Sequence, residues 1–209
     1  MTEQVQQVRA HRRRSRILDA ALDVFATRGY HAASVEEIAA KAETSKGGLY
    51  FHFPGKQALF LALLEWAHRE LRRRVDAAVA SANDPLAKAD AALQAVLRSF
   101  GRHRRLARIF LVDAPGAGPA FHRQVLAIQE EFIELVRSLL DDARERGEIE
   151  PDVDVDVAAR AWFGAVHSVL HGWLLAGSPR SLDRAYVSLR PLIYRSLGAA
   201  PPAEGGERA

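Results

Sequence analysis

Cysteine is absent from the 209 residues. No disulfide framework and no thiolate-bound zinc site can form, which suits a reducing compartment. Long apolar runs are absent too. The most apolar stretch, 157–175, is interrupted by Arg160, His167 and His171, so no membrane span is expected. The opening Met-Thr-Glu-Gln-Val-Gln-Gln-Val lacks the apolar core of a signal peptide, and a soluble, cytoplasmic chain is expected. Strand signals are missing: there is no sustained alternation, and no Asn-Gly or Asp-Gly turn between apolar runs.

The signatures of catalysis are missing as well. The chain has no P-loop, no Gly-x-Ser-x-Gly elbow and no carboxylate pair at diagnostic spacing. Gly116 and Gly118 follow a helical pattern and lack a third glycine, so they form no dinucleotide fingerprint. His167 and His171 share a helical face at a spacing that could chelate zinc, but no third ligand completes a site. Asp152, Asp154 and Asp156 imitate a calcium loop, yet Val157 stands where glycine is needed and Phe163 where the last glutamate is needed. These acids read instead as a helix start. No enzyme, metal or cofactor is expected.

What is present is ordinary globular material, 48% hydrophobic and 26% charged. The net charge of +3 is unevenly placed: Arg9, Arg12, Arg13, Arg14 and Arg16 face only Glu3 within residues 1–16. A basic arm before a nearly neutral body suggests an anionic partner. A second basic cluster, Arg102, His103, Arg104, Arg105 and Arg108, reads as a solvated face, with an anionic ligand group as the alternative.

Helical periodicity is nearly continuous, and an all-α fold follows. Ile17, Leu18, Ala21, Leu22 and Phe25 line a first helix that Gly29 can close. Ser34-Val35-Glu36-Glu37 is a capping box for a short second helix through Ala42. A third runs from about Ser45 to Phe51. After Pro54-Gly55 a long fourth helix carries Leu59, Phe60, Leu63, Leu64, Ala67, Leu71 and Val75 on one stripe. Asp84-Pro85 opens a fifth, and Gly101 separates it from a sixth, 103–112. Residues 115–119 form a loop before a seventh helix that Gly147 caps. An eighth reaches Ala176, and a ninth spans about 181–197, with Pro191 expected to bend it.

The informative segment is 25–60, FATRGYHAASVEEIAAKAETSKGGLYFHFPGKQALF. It reads as two short helices joined by a tight turn on a preceding helix: a helix-turn-helix whose second helix enters the major groove. Thr44, Ser45 and Lys46 open that helix, where N–H groups and the dipole favour phosphate. Gly47 and Gly48 leave room for close approach to DNA. Tyr50 and His52 can donate to phosphate, and Lys56 adds a cation. Phe25, Ile38, Leu49 and Phe53 form the small core beneath. With Arg12, Arg13, Arg14 and Ser34 these polar and glycine positions make up the candidate DNA-binding set.

This segment resembles the N-terminal signature of the tetracycline-repressor (TetR) family. The resemblance rests on an aromatic and glycine after the first helix, Ser34-Val35 with Ile38-Ala39, Ser45-Lys46-Gly47, Leu49-Tyr50, His52-Phe53 and Lys56. It covers about 45 residues; beyond them only the architecture of six further helices matches. One departure is Glu43, which stands in the turn where the family usually has glycine and tolerates a left-handed backbone poorly.

With the basic arm, the resemblance implies a DNA-binding domain over 1–54 and a ligand-binding and dimerisation domain over 55–198; the Pro, Gly and Ala content of 199–209 predicts a disordered tail. It implies a ligand pocket within helices four to eight, for which Trp66, Phe100, Phe110, Phe132, Trp162, Phe163 and His167 are the candidate lining. It implies, too, that the last two helices pair with their copies in a homodimer. The apolar surface of 157–174, hard to hide in a monomer, points the same way. Residues 108–114 and 118–121 are similar to regulators of fatty-acid metabolism that sense acyl-CoA thioesters. The expected function is a repressor released from a palindromic operator in double-stranded DNA by a small, mostly apolar ligand, an acyl-CoA being one candidate. The alternatives are a constitutive DNA-binding regulator without a ligand, or an enzyme within 84–198.

Overall fold

A computed structural model describes residues 2–199 and, of the first eleven, only the side chain of Ala10. The expected tail falls outside the described residues except for Ala199. Among the described residues there is no strand, and nine helices follow in order. They are α1 (Thr2–Ala32), α2 (Val35–Lys41), α3 (Lys46–His52), α4 (Lys56–Ala80), α5 (Pro85–Arg102), α6 (104–116), α7 (Pro119–Glu145), α8 (Val155–Leu175) and α9 (Leu182–Arg195). The fold is all-α, as the periodicity predicts.

Local chemistry sets the starts of these helices. Ser34 Oγ accepts the Glu37 N–H at 3.1 Å, Asp84 Oδ1 the Ala87 N–H at 2.7 Å, and Asp154 Oδ1 the Val157 N–H at 3.1 Å. Each cap satisfies an amide that the helix itself cannot. Of the three aspartates that imitate a calcium loop, Asp154 is thus a cap, and Asp156 pairs with Arg160 at 3.2 Å. The box at Ser34 closes in one direction: Glu37 Oε1 turns to Arg28 Nε at 3.3 Å.

Four boundaries differ from expectation. The basic arm is helical, because α1 begins at Thr2. Gly29 breaks the regular helix (φ 77°, ψ 163°), after which the chain regains helical form to Ala32. Gly101 lies inside α5, which runs to Arg102 with His103 as its cap. The expected loop 115–119 is partly helical, since α6 continues through a π turn, Ile109–Asp113, to Gly116. The π bond runs from the Ala114 N–H to the Ile109 carbonyl, directly before Pro115, which has no N–H to continue the tighter ladder.

The described chain forms two compact units that do not follow chain order. One holds residues up to Arg69 together with Arg105–Leu126; the other holds Glu70–Arg104 and the chain from Ala127 onward. In the first, Ile17, Phe25, Ile38, Leu49, Leu59, Phe60, Leu63 and Leu64 are sealed from solvent. Phe25 meets Phe60 edge-on at 4.8 Å, and Tyr30 and Phe121 close on Phe60 at 5.0 Å each.

In the second unit, Leu86, Ala89, Leu140, Ala159, Trp162, Leu189, Ile193 and Tyr194 share one core. Trp162 lies tilted against Tyr194, ring centroids 5.8 Å apart, and donates its indole N–H to Ser196 Oγ at 3.3 Å. It is a satisfied core residue. Tyr194 donates to the Leu86 carbonyl at 2.6 Å, and burial pushes its hydroxyl pKa well up. Beside it Arg190 Nε meets both oxygens of Asp90 at 3.0 Å, and Tyr186 donates to the same carboxylate at 3.0 Å. This ion pair joins α5 to α9 with side chains only 11% and 15% exposed. Removing one partner strands the other charge. Asp90→Ala is therefore expected to lower the unfolding free energy by about 3 kcal/mol, whereas Asp90→Leu with Arg190→Met together should cost much less. Urea titration of the two variants separates the outcomes.

Candidate nucleic-acid interface

The segment between α1 and α4 is built around a turn with two backbone hydrogen bonds. Thr44 N–H reaches the Ala39 carbonyl at 3.0 Å and Glu43 N–H the Ala40 carbonyl at 3.1 Å. This is a Schellman closure of α2, whose residue after the cap must be left-handed. Gly147 and Gly198 fill the same place at the ends of α7 and α9, at φ 71° and 67°. Here the residue is Glu43, and it adopts φ 53°. The turn keeps the left-handed geometry of the closure and accepts the backbone strain. The exposed Arg16–Glu43 pair, 3.8 Å apart, offsets little of it.

Ser45 then caps α3, its Oγ accepting the Gly48 N–H at 3.0 Å. The two glycines differ in purpose. A Cβ on Gly48 would lie 2.6 Å from Thr44 Oγ1 and 3.2 Å from Ser45 Oγ, so the Thr44 hydroxyl would have to move and the cap would be crowded by a side chain there. Gly47 is exposed, and a Cβ would meet nothing nearer than 4.0 Å. Only Gly47 leaves its space open for an outside partner. Leu49 and Phe53 turn inward, 0% and 3% exposed, while Tyr50 and Phe51 turn outward at 41% and 86%. Phe51 is the residue that the sequence reading passed over; nothing in its apolar neighbourhood marks it as the solvent-facing member.

The cations divide into committed and uncommitted ones. Lys46 is bonded to Glu36 and lies 5.9 Å from the Tyr50 ring centroid; their contact raises the lysine pKa and lowers that of the glutamate. Lys56 Nζ donates to the carbonyls of His31 at 3.1 Å and Ala33 at 3.0 Å, and sits 4.8 Å over Tyr30. Arg14 lies over the Phe53 ring at 5.2 Å, whereas Arg12 and Arg13 are exposed. His52 is half-buried. Burial, and then Arg13 and Arg14, lower its pKa, so the neutral ring is favoured and one N–H remains to donate. Ser34 is spent as the cap of α2, and Thr44 is partly buried behind Gly48.

A crevice of about 400 Å³ opens beside this motif, lined by Val24 and by the polar Asp23, Thr27, Arg28, Glu37, Lys41 and Arg105. Asp23 is its hub: its carboxylate meets Lys41 Nζ at 3.2 Å and is also bonded to Arg105 of α6. All five residues of the basic cluster around the start of α6 are exposed, as a solvated face requires, and three of them also have partners. Arg104 donates to the Leu174 carbonyl at 2.6 Å and covers Trp173, Arg105 holds Asp23, and Arg108 approaches Asp113 at 3.6 Å.

The candidate ligand-lining residues fall in both units: Trp66 and Phe110 in the first, and Phe100, Phe132, Trp162, Phe163 and His167 in the second. Phe163, His167 and His171 form a ring stack with centroids 5.7 and 4.9 Å apart. Burial, then His171, lowers the His167 pKa. Among the described residues no three ligating side chains gather around a metal position, and no helix is long and apolar enough to cross a membrane.

Two family models match the chain. One, "Bacterial regulatory proteins, tetR family", covers residues 17–63; the other, "Tetracyclin repressor-like, C-terminal domain", covers 82–189. Among curated relatives, the HTH-type transcriptional repressor DhaR of Mycobacterium sp. (strain GP1) is 25% identical over 73% of this chain and 80% of its own. A TetR-like transcriptional regulator from Rhodococcus sp. RHA1 superposes with a TM-score of 0.74 at 30% identity, covering 90% of this chain and 97% of that one. FadR from Bacillus subtilis, solved with stearoyl-CoA, superposes with a TM-score of 0.79 at 19% identity, over 89% and 98%.

Glu43→Gly is expected to stabilise the protein by about 0.5–1 kcal/mol. It relieves roughly 1–2 kcal/mol of left-handed strain and adds about 0.4–1 kcal/mol of unfolded-chain freedom. Glu43→Val, stiffer at Cβ, should destabilise it. Urea titration checks both, and a glycine variant weaker than the parent would contradict the strain.

Proposed function

The chain belongs to the TetR family of bacterial transcriptional regulators, and from that membership we propose that it is a homodimeric repressor whose α3 enters the major groove of a palindromic operator. The observation that supports this reading best is the outward face of α3. Gly47 leaves its surface bare, Tyr50 presents a hydroxyl, and the field of Arg13 and Arg14 extends to His52. In the proposed complex Arg12, Arg13 and Tyr50 contact phosphates, while Ser34, Ser45, Gly48 and Lys56 hold α2 and α3 in position. Two copies in a dimer bring their recognition helices about 34–36 Å apart, one turn of duplex. Val157, Val187 and Leu192, each more than 60% exposed on α8 and α9 of the single chain, favour those helices as the dimer face.

The effector we propose is a mostly apolar small molecule bound by the helices after the DNA-binding segment, with an acyl-CoA as the leading class. The stearoyl-CoA complex of the similarly folded FadR motivates that choice. Trp66, Phe100, Phe110, Phe132, Phe163 and His167 remain candidates to line its site. Trp162 is set aside because it belongs to the core. The ion pair from Arg105 of α6 to Asp23 of α1 supports a route by which α6 could bias the DNA-binding helices.

Arg13→Ala should weaken operator binding and flatten the plot of log affinity against log salt by about one unit, since it removes one phosphate contact. Tyr50→Phe should weaken binding by roughly two- to tenfold at every sequence. Lys56→Ala should cost stability as well as affinity, because both carbonyl bonds are lost. Titrations at several salt concentrations, with thermal unfolding alongside, read all three. Unchanged affinity in the first two would contradict the placement of α3.

The switch is tested by titrating the protein with fatty acyl-CoAs in the presence and absence of operator. Coupling of about 5- to 150-fold is expected, and linkage requires the same factor in both directions. A ligand that binds equally well with and without operator does not switch this protein.

A further inference from the structure

The helix placed in the groove carries few groups that can read a base. Its sequence is Lys-Gly-Gly-Leu-Tyr-Phe-His: of the side chains that make two-pronged contacts to guanine or adenine it holds one lysine and no arginine, asparagine or glutamine. Leu49 is sealed inside, Gly48 is confined by the cap, and Lys46 is bonded to Glu36. On the exposed face, near the C-terminal end of α3, stands Phe51, 86% exposed, one turn beyond the bare surface of Gly47. Its ring meets His52 edge-on at 5.3 Å and leaves most of its area in water. The major groove offers one apolar group among its base edges, the C5-methyl of thymine.

We propose that Phe51 reads thymine, packing its ring on the C5-methyl group in each half-site, so that operator choice by α3 rests on a methyl contact more than on hydrogen bonds. This deepens the proposed function and rests on α3 lying in the major groove. The bare Gly47 lets the helix sit close enough for a phenyl ring to reach the groove floor. Burying a methyl against the ring favours thymine over a base without one by about fourfold, and by about fifteenfold when both half-sites contribute.

The test starts from the full-length protein and a pool of random duplexes, from which bound sequences are enriched. In the enriched duplex each thymine is then replaced by deoxyuridine, which removes the methyl and keeps every hydrogen-bonding group. One position per half-site is expected to lose about fourfold in affinity. Phe51→Ala, a change at an exposed side chain, should lose a similar factor on the thymine duplex and be indifferent to uracil at that position. Phe51→Leu should keep part of the preference. An enriched sequence that tolerates uracil everywhere overturns the methyl contact while leaving DNA recognition standing. A uracil penalty that persists in Phe51→Ala assigns the methyl to another residue and overturns it equally. Failure to enrich any sequence defeats the underlying DNA-binding reading, and this proposal with it.

Discussion

The DNA-binding segment is held shut by one ammonium group. Lys56, the first residue of α4, donates to the carbonyls of His31 and Ala33, so the chain that leaves α1 is fastened to the chain that begins α4. Everything between them, α2, its turn and α3, is a loop closed at its base. Closing such a loop covalently distant in sequence but short in space removes much of the freedom that α2 and α3, seven residues each, could not overcome alone. Both carbonyls lie where α1 ends at Ala32 and no further turn takes them up, and just before them Gly29 breaks the regular helix. The same break turns Tyr30 onto Phe60 and Phe121, and the lysine rests on its ring. A cation, a glycine and an aromatic knot thus act on the same few atoms.

Inside the closed loop, geometry takes precedence over local preference. Glu43 adopts a conformation that glycine would occupy without strain, because two backbone bonds of the Schellman closure require it. Gly48 is lean for the opposite reason: its neighbours' hydroxyls crowd the space of a side chain. Neither position tells against a well-formed motif. Together they fix the angle at which α3 leaves α2, which in turn decides that Phe51 faces out.

Patterns of short range were legible in the sequence. The stripe from Leu59 to Val75 is buried along its length, Asp84-Pro85 opens α5, and Ser34 and Ser45 cap their helices. Features set by distant partners were not. Arg104 and Arg105 look alike in sequence, yet one covers Trp173 and the other holds Asp23, partners some seventy and eighty residues away. The π turn of α6 follows from a bond that widens before Pro115, and helical periodicity alone does not announce it. Tyr50 and Phe51 are adjacent aromatics beside a buried Leu49, and only the position of α3 on its core shows how far each emerges.

The pairing of Lys46 with Glu36 has a further consequence. A phosphate that engages this lysine competes with a carboxylate attached to the same protein. Such a carboxylate behaves as a tethered competitor whose local concentration is set by the length of its linkage and does not vary with the solution. Mobile salt ions compete for the other cations and are released when DNA binds; this one is only set aside. Lys46 would therefore contribute less than a free lysine to the release of ions. Binding would depend on a small internal exchange of partners, the same for every sequence the protein meets while it searches.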